Sequence, residues 1–199
     1  MQLVRKSKKE LKREEIVQAA CRLFASKGYY LTTIADIADD VGMSVGNMYN
    51  YFTSKEELAK YIIQFASRYL GERMRVINEA PLSVRDKIFS IVRLYLEAAV
   101  EKPELIDYFL RVYLANREVF SQGCQGLLCV GEFVTEVMIL LEEGARSGEL
   151  RNQEFFTAFS MMMGTLAGFV FLSGEEVLPR DLLSYSDEIA DNIWRALKA

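Results

Sequence analysis

Apolar residues recur at helical spacing along nearly the whole chain. Ile16, Ala20, Leu23 and Phe24 mark the inner face of a first helix predicted over about Lys9 to Lys27, which Gly28 stops. Thr33 with Asp36 three positions on announces a second helix, in which Ile34, Ile37, Ala38 and Val41 form the buried stripe. Gly42 follows, where a left-handed backbone costs least, and the small Ala38 four residues earlier lets two helices approach closely. Ser44 can cap the next short helix, whose Met48 and Phe52 point back to the core while Met43 closes the turn. Ser54 with Glu57 opens a fourth helix with Leu58, Ile62, Phe65 and Tyr69 on one face. Beyond Pro81 the rhythm predicts a helix from Ser83 to near Pro103, another from Glu104 to Asn116, and a stripe of Leu128, Phe133, Val137, Leu140 and Leu141 within 127–147. A terminal helix after Pro179 carries Asn192, Ile193, Trp194 and Leu197. Strand signal is almost absent, so the predicted fold class is all-α.

Residues 32–52 thus read as two short helices joined by a tight turn, the outline of a helix-turn-helix. At 100° per residue, Met48 and Phe52 share one side of the second helix, and Gly46, Asn47, Asn50 and Tyr51 lie on the other. In a major groove that polar side would meet base edges and phosphates, with an Asn able to pair with adenine and tyrosines able to reach phosphate. Val45 is ambiguous: its angle tends to bury it, yet its place in the first turn suits contact with a thymine methyl. Taken alone, the same pattern also fits an ordinary helical pair with a solvated polar face.

Charge alters this picture. The 199 residues carry a net −4, which is unusual for a protein that binds a polyanion. The charge is unevenly distributed: residues 1–60 sum to +2 and residues 61–199 to −6. Arg5, Lys6, Lys8, Lys9, Lys12 and Arg13 face a single acid, Glu10, so the leading arm is expected to follow a phosphate backbone.

The runs EEIVQAACRLFASKGY, TTIADIADDVGMSVGNMYNYF and TSKEEL, between Arg13 and Leu58, resemble the TetR family of bacterial transcriptional regulators. The resemblance covers about a quarter of the chain. It implies a three-helix DNA-binding domain with a helix-turn-helix over 1–53, followed over 54–199 by a larger helical ligand-binding and dimerisation domain, with helix 4 from about 54 as connector. Carried over residue by residue, it implies base or phosphate contacts from Ser44, Val45, Gly46, Asn47, Tyr49 and Tyr51, a phosphate at the backbone and hydroxyl of Thr33, and another at Lys55. Val45 departs from the family, whose members often carry a polar or charged residue there, and this leaves the base preference open. The function implied is a ligand-responsive, sequence-specific regulator, most often a repressor. One short recognition helix reads only a few base pairs, so a homodimer on a palindromic duplex is expected.

Phe155 to Leu172 contains eighteen residues without a charge, long enough to make a membrane-associated protein the alternative. No Lys/Arg cluster flanks it and no second such segment exists, so it is read instead as a core helix with a small-residue edge at Ser160, Gly164 and Gly168. The resemblance implies that this edge, with Ile193, Trp194 and Leu197 of the terminal helix, forms a dimer interface. Aromatic and methionine side chains collect in the later region, and Tyr95, Tyr108, Phe109, Tyr113, Phe133 and Met162 are expected to line a pocket for a small hydrophobic effector. Each would fit a plain helical core equally well.

An all-helical enzyme is the remaining alternative, without a recognisable catalytic set. The chain has no histidine, and Cys124 and Cys129 lack the spacing of a CxxC redox or zinc motif, so no metal, cofactor or catalytic residue is expected. Cys21 reads as an apolar filler. With no secretory signal or disulfide framework, a cytoplasmic location is expected.

Overall fold

The computed structural model describes residues 7–112 and 130–199. Among these residues the elements are helical, apart from one isolated bridge between Leu150 and Lys198. We number the described helices α1 (Lys8–Lys27), α2 (Ile34–Asp40), α3 (Val45–Met48), α4 (Lys55–Glu79), α5 (Val84–Glu101), α6 (Pro103–Asp107), α7 (Gly131–Ser147), α8 (Phe155–Gly174) and α9 (Ser186–Leu197). A wider π-type turn, Tyr108–Val112, follows α6, and a 3₁₀ turn, Leu182–Tyr185, leads into α9. The chain divides into two compact units, one of residues 7–65 with 104–112 and one of 66–103 with 130–199.

In the first unit, local chemistry marks the ends of α1. Ser7 Oγ accepts from the Glu10 amide at 3.2 Å while the Glu10 carboxylate accepts from the Ser7 amide at 2.7 Å, satisfying two donors that the first turn leaves unpaired. At the other end Gly28 takes φ +84, a value that residues with a Cβ avoid. Ile16, Val17, Ala20 and Phe24 of α1 are buried with Ile37, Met48, Phe52, Leu58 and Ile62. Cys21 is buried too, and desolvation pushes its thiol pKa up to about 12, which keeps it an inert filler. Tyr108 completes this core: its ring centroid lies 5.6 Å from that of Phe24, and its hydroxyl donates to the Ala59 carbonyl at 3.1 Å. A helix was expected from Glu104 to Asn116. The α-helix instead ends at Asp107 and widens into the π-type turn, and residues beyond 112 lie outside those described.

In the second unit, Ser83 caps α5, accepting from the Asp86 amide at 3.1 Å. α5 buries Ile88, Ile91, Val92, Tyr95 and Leu96, and α9 packs on it through its own apolar stripe. Two buried charges are each paired, as burial demands. Lys87 Nζ donates to Glu143 and to the Asn78 carbonyl at 2.7 Å, and Glu136 accepts from Arg75 at 3.0 Å and Asn78 at 2.9 Å. After α7, Gly148 takes φ +77, and the chain then pairs with its own terminus: Arg151 donates to the Leu197 carbonyl and Ala199 to that of Glu149.

The uncharged segment forms α8, and within one chain it is not the core helix expected. It is long and apolar enough to cross a bilayer by length and composition, yet only 17% of its apolar window is buried inside the chain. Ala158, Met162 and Leu166 turn inward, while Phe156, Ser160, Gly164, Gly168, Phe171 and Leu172 are exposed. Hydropathy establishes that such a helix avoids water, but carries no information about which molecule covers it.

Candidate nucleic-acid interface

Thr33 begins the helix-turn-helix. Its Oγ accepts from the Asp36 amide at 3.1 Å, and the Asp36 carboxylate accepts from the Thr33 hydroxyl and amide, both at 2.7 Å. Those two bonds, the side-chain one first, hold the Asp36 pKa below the usual carboxylate range, with a smaller contribution from Lys27 at 3.6 Å. α2 ends in a Schellman closure: the Met43 amide donates to the Ala38 carbonyl at 2.9 Å and the Gly42 amide to that of Asp39 at 3.0 Å. This geometry requires the left-handed Gly42, at φ +65. Ser44 then caps α3, accepting from the Asn47 amide at 3.2 Å.

α3 is a single turn. After Met48 the bonds mix registers: Asn50 donates to Asn47 and Tyr51 to Met48 in the i−3 manner, while the Phe52 amide donates to the Met48 carbonyl at 3.2 Å in the i−4 manner. Met48 and Phe52 are fully buried beneath it. On the outer side Ser44, Val45, Gly46, Asn47, Tyr49 and Asn50 are exposed, with Val45 at 40% and Tyr49 at 50%, while Tyr51 is half-buried. Asn50 Nδ2 donates to Asn47 Oδ1 at 3.1 Å, which leaves Asn47 its amide protons and Asn50 its carbonyl oxygen side by side on the open face. Val45, ambiguous by angle, is on that face.

The basic groups are more committed than composition implies. Arg5 and Lys6 lie outside the described residues, and Lys8 and Lys9 are exposed. Lys12 donates to Glu15 at 2.7 Å and to the Val41 carbonyl at 3.1 Å, and Arg22 pairs with Asp40 at 2.7 Å. Arg13 leaves the arm altogether: its guanidinium stacks 4.7 Å from the Phe52 ring centroid and 4.5 Å from that of Tyr61. Lys55 is turned toward three backbone carbonyls between α1 and α2. At α4, Ser54 caps the Glu57 amide as expected, but the Glu57 carboxylate reaches back one residue further, to Thr53, at 2.6 Å. Tyr30 and Leu31, just before Thr33 in the chain, are 65% and 79% exposed. No local periodicity singles them out.

The residues expected around an effector are described unit by unit. In the second unit the Tyr95 and Phe133 ring centroids are 6.5 Å apart, Phe133 and Phe159 another 6.5 Å, and Met162 is buried. Burial raises the Tyr95 phenol above its ordinary range. Tyr108 and Phe109 belong to the first unit, and Tyr113, like Cys124 and Cys129, lies outside the described residues. A groove of about 250 Å³ in the second unit is lined instead by Met138, Leu141, Arg151, Phe155 and their neighbours. The proposed dimer residues divide as well. Ser160, Gly164 and Gly168 are exposed with open space at both glycines, and Trp194 is half-buried, but Ile193 and Leu197 are buried in their own chain. The apolar stripe of α9 packs on α5.

A capped, Schellman-closed helix pair with an exposed polar face at the start of an all-helical chain defines a helix-turn-helix transcriptional regulator. Residues 16–62 match the family described as bacterial regulatory proteins, tetR family. The repressor KstR2 of Rhodococcus jostii is 34% identical over 73% of this chain and 71% of its own, and the regulator YfiR of Bacillus subtilis is 26% identical over 94% and 88%. The Bacillus subtilis regulator FadR, solved in complex with stearoyl-CoA, superposes with a TM-score of 0.76 at 20% identity, covering 90% of this chain and 96% of that one. The chain belongs to the TetR family and is a DNA-binding transcriptional regulator. A membrane-associated role is not favoured by these likenesses.

Proposed function

We propose that this regulator is a cytoplasmic repressor that binds a palindromic operator as a homodimer and is released by a small hydrophobic effector. Residues 1–53 act as the DNA-binding domain, and residues 54–199 serve effector binding and dimerisation. Ser44, Val45, Gly46, Asn47, Tyr49 and Tyr51 meet base edges and phosphates in one major groove, and Thr33 meets a phosphate beside it. The observation that carries this reading is the exposed outer face of α3 lying over the fully buried Met48 and Phe52, which hold it rigidly. One helical turn spans few base pairs, so selectivity calls for two copies of α3, about 34–36 Å apart along the duplex. The open apolar side of α8, including Gly164 and Gly168, supports pairing of two chains there. The aromatic cluster at Tyr95, Phe133 and Phe159 supports an apolar effector, and the stearoyl-CoA bound by the Bacillus subtilis neighbour carries an apolar acyl chain of that chemistry.

Selection of genomic fragments by the intact protein, followed by release with candidate metabolites, tests the reading. Tyr49→Ala should weaken binding to a recovered fragment by about 1–3 kcal/mol per lost contact. A folded Tyr49→Ala variant that bound unchanged would remove the site assignment.

A further inference from the structure

Two of the buried tyrosines place their hydroxyls on a protein acceptor. Tyr108 donates to the Ala59 carbonyl at 3.1 Å and Tyr29 to the Glu56 carboxylate at 3.3 Å. Tyr95, on α5, differs. It is only 2% exposed, yet among the described residues its hydroxyl has no hydrogen-bond partner. A phenol in that position has lost its bond to water and gained none in return, which native interiors rarely leave so.

Its surroundings in the second unit are rings. The Tyr95 centroid lies 6.5 Å from that of Phe133, Phe133 lies 6.5 Å from Phe159, and Phe159 lies 5.5 Å from Phe155. Met162, one turn after Phe159 on α8, is fully buried. Phe155 and Ala158 also line the groove of about 250 Å³, so the rings lead stepwise from that groove to the buried phenol. Among these side chains the Tyr95 hydroxyl is the single strong hydrogen-bonding group. Burial raises its pKa above the ordinary range, so at neutral pH it keeps a proton to donate.

We propose that Tyr95 is the polar anchor of the effector site, donating its phenol proton to a neutral ketone or ester carbonyl on a molecule whose remainder is an apolar chain packed against Phe133 and Phe159. The proposal deepens the effector reading above and rests on it. Apolar sites of this kind fix a ligand's orientation through a few placed polar groups, and here one is available. A free carboxylate fits poorly, because burying its charge against rings with a single donor costs far more than one hydrogen bond returns. A plain hydrocarbon suits the rings but leaves the phenol unpaired.

Two probes of one shape isolate the hydrogen bond: methyl heptyl ketone, and its analogue in which a methylene group replaces the carbonyl oxygen. Their uptake by the full-length wild type and by Tyr95→Phe is read by headspace gas chromatography, as depletion of the vapour. Tyr95→Phe should bind the ketone about tenfold more weakly and the alkene equally or more tightly. A ketone affinity that does not fall, an equal loss for both probes, or uptake of the alkene alone by the wild type removes the anchor and leaves an apolar effector site standing. A wild type that takes up neither probe removes the effector reading and this proposal together. Without any probe, Tyr95→Phe should keep or raise the Tm, since it deletes an unpaired group. A lower Tm, or a variant that does not fold, shows a hydroxyl that already has a partner and overturns the proposal. In the wild type, infrared difference spectra should place the carbonyl stretch of the bound ketone below its value in hexane, and an unshifted band overturns it.

Discussion

Arg13 holds its guanidinium between two aromatic rings from different elements, Phe52 after α3 and Tyr61 on α4. A cation over a ring contributes about 0.5–1 kcal/mol when exposed and about 2 when desolvated. Phe52 is fully buried and Tyr61 half-buried, so about 1 kcal/mol per ring is a fair value here. Against this stands Arg13 Nε, buried with no hydrogen-bond partner, an arrangement that costs about 1–3 kcal/mol. Replacing Arg13 by methionine removes both effects, and the net change in stability should lie within about 1 kcal/mol of zero. The single variant is therefore uninformative, and a double-mutant cycle is needed. Arg13→Met combined with Tyr61→Leu, followed by urea unfolding at fixed protein concentration, should return a coupling of about 1 kcal/mol. Arg13→Ala also loses the packing of the side-chain stem and should lower Tm by about 2–4 °C for each kcal/mol lost. A coupling below about 0.3 kcal/mol, the scatter of independent sites, would show that the rings do not sense the charge and that Arg13 merely fills space.

Three further outcomes follow from named geometry. Gly42→Ala forces a Cβ into φ +65 and should cost about 1–2 kcal/mol by thermal unfolding, with DNA affinity falling further because the turn orients α3. Gly168→Glu places a charge on the open edge of α8, where a Cβ would meet no described residue beyond its own helix within 4 Å; sedimentation should show loss of the dimer while helicity stays intact, and an unchanged dimer would locate the interface elsewhere. Asp36 and Glu57 have depressed pKa values through their bonds to Thr33 and Thr53. Each therefore adds stability that is present above its unfolded pKa, of about 4, and is lost as pH falls through the lower folded value; the acid limb of an unfolding profile should flatten in Asp36→Asn, Glu57→Gln.

What was legible in the sequence was local. The caps at Thr33, Ser44, Ser54 and Ser83 depend on partners three residues away, and each acts as a helix start in the structure. Gly28 and Gly42 take the positive φ that a terminating glycine suggests. Long-range commitments were not legible. That Lys55 and Arg13 meet carbonyls and rings tens of residues away could not be read from a string of letters. α9 illustrates the same limit: its period marks Ile193 and Leu197 as apolar-facing, but whether that face meets α5 or a second chain is decided by packing. α8 is the converse, an apolar segment whose composition suggested a buried helix and whose surface lies largely open in one chain.

The placement of Tyr108 has a practical corollary for anyone wishing to transplant the reading head. A fragment cut after the first four helices would lack this ring, leaving one side of Phe24 bare and removing the hydroxyl bond to the Ala59 carbonyl. Chimeras that graft residues 1–53 onto a foreign body likewise leave Phe24 without the Tyr108 ring. Such hybrids should be unstable unless the recipient supplies an aromatic hydroxyl at the equivalent spot, and portability of the head would therefore require moving the distant tyrosine with it.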